Sequence, residues 1–165
     1  MKHTLAALLS LLLLAGLSGC GYSSSAVFQD DVKTVYVDMF ESRTFRRDLE
    51  FMLTEAVKKR IATDTPYRVA AKEKADTILR GEVLEARQTA YAPDFRTRQP
   101  REKQLTLVVR VQWKDVRNGK MLVDRPLLLQ SVDYTPAAGE TEPFARQKDV
   151  DRLAARIVAQ MYNEW

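Results

Sequence analysis

The chain has 165 residues, with 26 Lys and Arg against 22 Asp and Glu, a formal net charge of +4, one histidine (His3) and one cysteine (Cys20). With the imidazole and the thiol both confined to the first twenty positions, the remainder offers no Ser-His-Asp or Cys-His set, no zinc site built on His or Cys, and no disulfide. The charge is too small to argue for nucleic acid as a partner, and no Walker or dinucleotide glycine motif is present.

No catalytic residue, cofactor or metal is therefore expected. An enzyme using only carboxylates, Lys or Tyr stays open in principle, but no pair of such residues recommends one.

The N-terminus reads as a leader. Lys2 and His3 precede an apolar run from Leu5 to Leu17, about thirteen residues, shorter than the roughly 20 that a membrane span needs. Leu17-Ser18-Gly19-Cys20 then places a small pair directly before a cysteine, the pattern of a bacterial lipoprotein signal peptide. The expectation is that residues 1–19 are removed and that Cys20 becomes an acylated N-terminus. Loss of Lys2, with no acid lost, takes the net charge from +4 to +3. Each buried CH₂ contributes about 0.8 kcal/mol, so several chains on Cys20 make a durable anchor. In bacterial lipoproteins an aspartate after the cysteine often retains the protein in the inner membrane. Gly21 stands there instead and points to the outer membrane.

Residues 20–31, with Tyr22, a serine run at 23–25 and Val27-Phe28, read as a lipidated tether, and residues 32–165 as one domain. Val32 to Phe40 alternates as a strand, with Val35 and Val37 on one face. Glu41 to Thr44 is a loop with Thr44 as N-cap, and a helix follows to about Ala62. Its stripe is Leu49, Met52, Leu53, Ala56, Val57 and Arg60-Ile61, with Lys58, Lys59 and Arg60 in the last turns, and Thr65-Pro66 stops it. Phe51 lies nearly opposite that stripe. Its two readings are cover by the tether, through Tyr22 or Phe28, and contact with a partner.

Tyr67 to Ala70 is a short strand and Ala71 to Asp76 a polar turn. Thr77 to Tyr91 is a long strand whose broken alternation predicts a bulge near Gly81. Ala92 to Lys103 reads as a loop. It carries two prolines and four basic residues, Arg96, Arg98, Arg101 and Lys103, beside Tyr91 and Phe95, with Asp94 and Glu102 opposing. It is either a solvated tip or an anion site, since the planar guanidinium suits phosphate oxygens.

Gln104 to Lys114 alternates cleanly, with Leu105, Leu107, Val109, Val111 and Trp113 facing one way. Asn118-Gly119 signals a type I′ hairpin. Met121 to Tyr134 returns, with Pro126 marking an edge or a bulge. Pro136 to Pro143 is a loop. The last helix runs from Phe144 to the end on the stripe Val150, Leu153, Ala154, Ile157, Val158, Met161 and Trp165. The order β-α-β-β-β-β-α, opening with a right-handed crossover, predicts an α+β two-layer sandwich. Two helices lie on one face of a mixed four- to five-stranded sheet.

The blocks Gly19-Cys20-Gly21-Tyr22, Thr34-Val35-Tyr36-Val37, Phe40-Glu41-Ser42-Arg43-Thr44-Phe45-Arg46-Arg47, Leu49-Glu50, Leu53-Thr54-Glu55-Ala56, Ala75-Asp76-Thr77-Ile78-Leu79-Arg80-Gly81-Glu82-Val83 and Val150-Asp151-Arg152-Leu153-Ala154 occur in that order. Together they resemble the LPS-assembly lipoprotein family, LptE, over essentially the whole mature chain. Where the family pattern carries asparagine and glycine, this chain has Ser42 and Asp48. The resemblance implies a non-enzymatic lipoprotein on the periplasmic face of the outer membrane. It would assist assembly of an LptD-type β-barrel protein and bind lipopolysaccharide, with the Arg96–Lys103 tip meeting lipid A phosphates or the barrel's inner surface. Should the tip not be the site, the open sheet face around Arg80, Arg110 and Lys114 is next. Other small α+β lipoproteins share the anchor and the strand pattern, so a subunit of a secretion pore or an activator of a peptidoglycan synthase is the alternative.

Overall fold

The computed structural model describes residues 28–44, 48–93 and 100–162. The elements are β1 (Thr34–Val37), β2 (Glu41–Ser42), α1 (Leu49–Asp64), β3 (Arg68–Val69), β4 (Thr77–Pro93), β5 (Pro100–Asp115), β6 (Met121–Tyr134) and α2 (Glu142–Ala159), with 3₁₀ turns at Lys72–Lys74 and Pro136–Ala138. The strands form one mixed sheet in the order β3-β1-β4-β5-β6, and β2 pairs with β4 beyond the end of β1. β1 lies parallel to both β3 and β4, while β4-β5-β6 is an antiparallel meander. The expected α+β sandwich is the fold.

The inward rows of the sheet meet the stripes of both helices in one core. Val35 and Val37 from β1, Leu79 and Val83 from β4, and Leu107, Val109, Val111 and Trp113 from β5 pack with Leu49, Leu53, Val57 and Ile61 of α1, with Val150, Leu153 and Ile157 of α2, and with Met161 just after it. Both helices therefore cover the same face, as two amphipathic stripes require. Among the described residues, the opposite face carries no layer of its own.

Several boundaries differ from those read in the sequence. Thr44 does not cap α1. Its N–H and hydroxyl turn back onto Ser42 Oγ at 3.2 and 3.0 Å, and the helix starts at Leu49 after Asp48, whose φ of 74° is left-handed. Thr54 takes the amide of Phe40 at 3.0 Å and donates to the Glu50 carbonyl at 2.6 Å, so it is buried on the apolar stripe without an orphaned hydroxyl. Lys58 and Arg60 turn outward onto Glu55 and Asp64 at 2.9 and 3.1 Å.

The bulge in β4 lies at Leu84, not at Gly81, because the register with β5 slips between Val83 and Glu85. One extra residue reverses the parity. Thr77, Leu79 and Val83 are buried before it, whereas Ala86 and Gln88 carry the inward row after it.

The β4–β5 connection is shorter than the loop from Ala92 to Lys103. The strands stay paired through Ala90↔Lys103 and Tyr91↔Glu102 to Pro93↔Pro100.

Asn118-Gly119 does not make a type I′ turn. That turn needs positive φ at both central residues, and only Gly119 has it, at 76°. The hairpin closes instead over Val116–Gly119, with Gly119 N–H on the Asp115 carbonyl at 3.0 Å and Asp115 N–H on Lys120 at 2.8 Å. Pro126 sits on the edge strand β6, where the pairing with β5 slips between Val109 and Val111, so it is at both an edge and an irregularity. α2 begins earlier than Phe144, at Glu142, with Thr141 as N-cap accepting from Phe144 N–H at 3.4 Å.

Candidate functional site

The two ends of the long strands differ in character. At one end β4 and β5 run past the core. The last buried core residue of β5 in that direction is Leu105, opposite Gln88; β6 stays paired as far as Lys103, opposite Ala90, and β4 and β5 alone continue to Pro93↔Pro100, about 10 Å further. The sequence of this tip carries the four basic candidates. Arg96 and Arg98 lie outside the described residues, and Arg101 lies on β5. Lys103 is half-buried on β5 rather than in a loop, beside a shallow cleft of about 330 Å³ lined by Tyr134, Pro136, Gly139, Glu140, Thr141 and Glu142. The tip and the β6–α2 turn are thus brought together, which the linear pattern did not show.

At the other end the chain enters. Phe28 packs edge-on against Tyr67 and Tyr162, with centroids at 5.7 and 5.0 Å, and Tyr67 leans on Trp113 at 5.5 Å. Gln29 N–H donates to the Tyr67 hydroxyl at 2.9 Å. Arg117 clamps this entry to the β5–β6 turn. Its guanidinium donates to the Asp31 carbonyl at 2.8 Å, to the Asp31 carboxylate at 3.3 Å and to the buried Asp115 carboxylate at 2.7 Å. The Arg117 hydrogen bond is the main reason the Asp115 carboxyl lies below its ordinary range. Asp76 is lowered too, chiefly by Thr34, whose hydroxyl and amide donate at 2.8 and 2.9 Å, together with the amide of Lys33 at 3.0 Å. In the sequence, Asp115 to Gly119 shows only as a turn. The partners that make it a clamp lie 86 residues away.

Phe51 is 57% exposed, on the first turn of α1. Phe28 does not cover it, because Phe28 is docked beside Tyr67, past the far end of the helix, about 20 Å away. Tyr22 lies outside the described residues, as does Cys20.

The uncovered sheet face holds a cleft of about 460 Å³ along Asp38, Arg80, Gly81, Glu82 and Arg110. Its charges are zipped: Arg80 onto Asp38 at 3.2 Å, and Arg43 and Arg110 both onto Glu82. Three guanidiniums set against two carboxylates in pairs make a solvated ladder rather than a nucleophile or an acid–base pair. Among the described residues no group of three or more His, Cys, Asp or Glu gathers to hold a metal.

The model of one family matches residues 32–165, most of the chain: LptE, lipopolysaccharide-assembly. The chain belongs to the LptE family. No curated protein matches it.

Among solved structures, this LptE-family chain is similar to the hypothetical protein CT253 of Chlamydia trachomatis, at 15% identity and TM-score 0.59, over 78% of this chain and 95% of that one. It is also similar to lipoprotein B of Nitrosomonas europaea, at 15% and 0.58, over 86% and 88%. The PelC dodecamer of Paraburkholderia phytofirmans follows at 13% and 0.55, over 83% and 93%. At such identities the likeness is one of fold. Asp48 has the left-handed backbone that glycine favours.

Proposed function

We propose that this chain is an outer-membrane lipoprotein, acylated at Cys20 on the periplasmic side, that assists assembly of an LptD-type β-barrel and binds lipopolysaccharide. The observation that supports it is the opposition of the two ends. The chain enters at Phe28 and Arg117, while the hairpin tip extends to the far end of a 17-residue strand, about 55 Å long. An anchor eight residues before Phe28 would sit at the periplasmic mouth of a barrel. The tip would then reach through the roughly 25 Å apolar band of such a wall.

On this reading Arg96, Arg98, Arg101 and Lys103 supply the charge that meets lipid A phosphates, and the guanidinium fork gives the geometry. Phe51, exposed on the helix layer, is a contact for the barrel.

The test has two arms. Purification from outer membranes should bring down a β-barrel protein, identified by mass. A peptidoglycan synthase or a self-assembled ring in its place would overturn the reading. Replacing Arg96, Arg98 and Arg101 together with Gln should leave the melting temperature unchanged, since surface charges contribute little to stability. The replacement should weaken lipopolysaccharide binding and make the remainder less sensitive to salt. Full binding by the folded variant would exclude the tip. The anchor is tested by fractionation: Cys20→Ala should release the protein from membranes.

A further inference from the structure

At the end of the sheet where the chain enters, Ile78, Arg80, Gln112, Lys114, Val116 and Met121 line a second hollow of about 210 Å³ on the uncovered face, adjoining the first at Arg80 and Gln112. Its position is set by the Asp115–Arg117 turn and by Val116 N–H on the Asp76 carbonyl at 2.9 Å. Two cations face it, and no carboxylate is among its lining residues. Lys114 is exposed and has no ion pair among the described residues. Arg80 meets Asp38 through Nε at 3.2 Å, which leaves its two terminal nitrogens for another acceptor. The other nearby carboxylate, Asp124, accepts from Gln112 at 3.4 Å. Beside these cations Val116 and Met121 are 50% and 43% exposed, so apolar surface and positive charge meet in one hollow.

Cations next to exposed apolar side chains fit an amphiphile with an anionic head. An inorganic anion would have no use for the apolar wall. The chain-entry end is also the end nearest the membrane, an orientation that rests on acylation of Cys20. Eight residues separate Cys20 from Phe28, a reach of at most about 28 Å.

We propose that this hollow binds the headgroup of an anionic phospholipid at the membrane surface. Lys114 and Arg80 meet the phosphate, and Ile78, Val116 and Met121 lie against the glycerol and the first methylenes. The site is distinct from the basic tip: fourteen residues of β5 separate Lys114 from Pro100, about 45 Å.

Every buried core residue among those described lies between Val32 and Met161, so residues 21–165 can be tested without leader or lipid. In flotation assays this protein should bind phosphatidylethanolamine vesicles containing phosphatidylglycerol, less so as salt rises, and should not bind vesicles of phosphatidylcholine alone. Lys114→Gln combined with Met121→Gln should lower that binding about tenfold with no change in melting temperature, both side chains being exposed. The Arg96, Arg98 and Arg101 triple variant should bind these vesicles as the parent does. Inorganic phosphate at equal ionic strength should compete no better than chloride.

Any of four results overturns the site: no binding at low salt, equal binding to neutral vesicles, an unaffected double variant, or specific displacement by phosphate. Failure of the anchor would show separately, in fractionation of Cys20→Ala, which leaves the vesicle assay untouched.

Discussion

The ring of Phe40 occupies the space that a Cβ on Gly81 would take. Phe40 ends the first crossing of the sheet and is 1% exposed, and its backbone amide is tied to Thr54 on α1. Gly81→Ala should therefore cost about 1–3 kcal/mol, as overpacking does, and Phe40→Ala about 3–5 kcal/mol. In the Phe40→Ala background the Gly81→Ala change should cost far less. A double-mutant cycle by thermal denaturation reads that coupling, and additive losses would mean that the ring does not set the glycine.

Asp48 is the sole non-glycine residue with positive φ among those described. It makes no side-chain cap to α1. Asp48→Gly relieves the left-handed penalty and should stabilise the protein by about 0.5–1 kcal/mol in urea unfolding, while Asp48→Ala should destabilise it. A loss of stability with glycine would show that the carboxylate matters through the helix dipole instead.

Asp149 is fully buried on α2, and neither of its carboxylate oxygens has a hydrogen-bond partner. Burial pushes its pKa up to about 7, against the pull of the Arg152 charge. Between roughly pH 4 and 7 the folded state then holds a proton that the unfolded state has released. This group's contribution is therefore complete in acid and lost as pH rises through about 7. Asp149→Asn should remove that decline, so that the variant is the more stable protein at pH 8. Unfolding curves at pH 5 and pH 8 decide it, and parallel losses in both proteins would clear Asp149.

Asp76 and Asp115 act in the opposite direction. Their carboxyls are lowered in the folded state, so their contribution is present above the ordinary value of 3.8 and disappears as pH falls below it. Arg117→Met removes the main cause at Asp115 and should blunt the loss of stability in acid. Because Arg117 is 43% exposed, solvent screening keeps the cost at neutral pH modest.

Phe51→Ala should cost less than about 1.5 kcal/mol, since the ring is mostly in water. It should nevertheless reduce recovery of the barrel partner. A loss of 3 kcal/mol or more in isolated protein would give the ring a structural role and end its candidacy as a contact.

The sequence by itself determined the elements whose periodicity repeats over many residues. Leu105 to Trp113 and Val150 to Met161 are buried as their spacing requires, because burial of one face imposes the period directly. The reading of a leader and of Cys20 as its cleavage point rests on local pattern alone, and so does the concentration of arginines between the two long strands. Tertiary structure decided what depends on partners distant in the chain. Gly81 looks like a bulge signal within its strand, yet its cause is a ring 41 positions earlier, and the bulge falls at Leu84, where no residue type announces it. Asp115-Val116-Arg117-Asn118-Gly119 has the composition of a turn. Only the arrival of Asp31 from the far end of the chain turns it into a clamp, because a charge acquires its role from the group set opposite it.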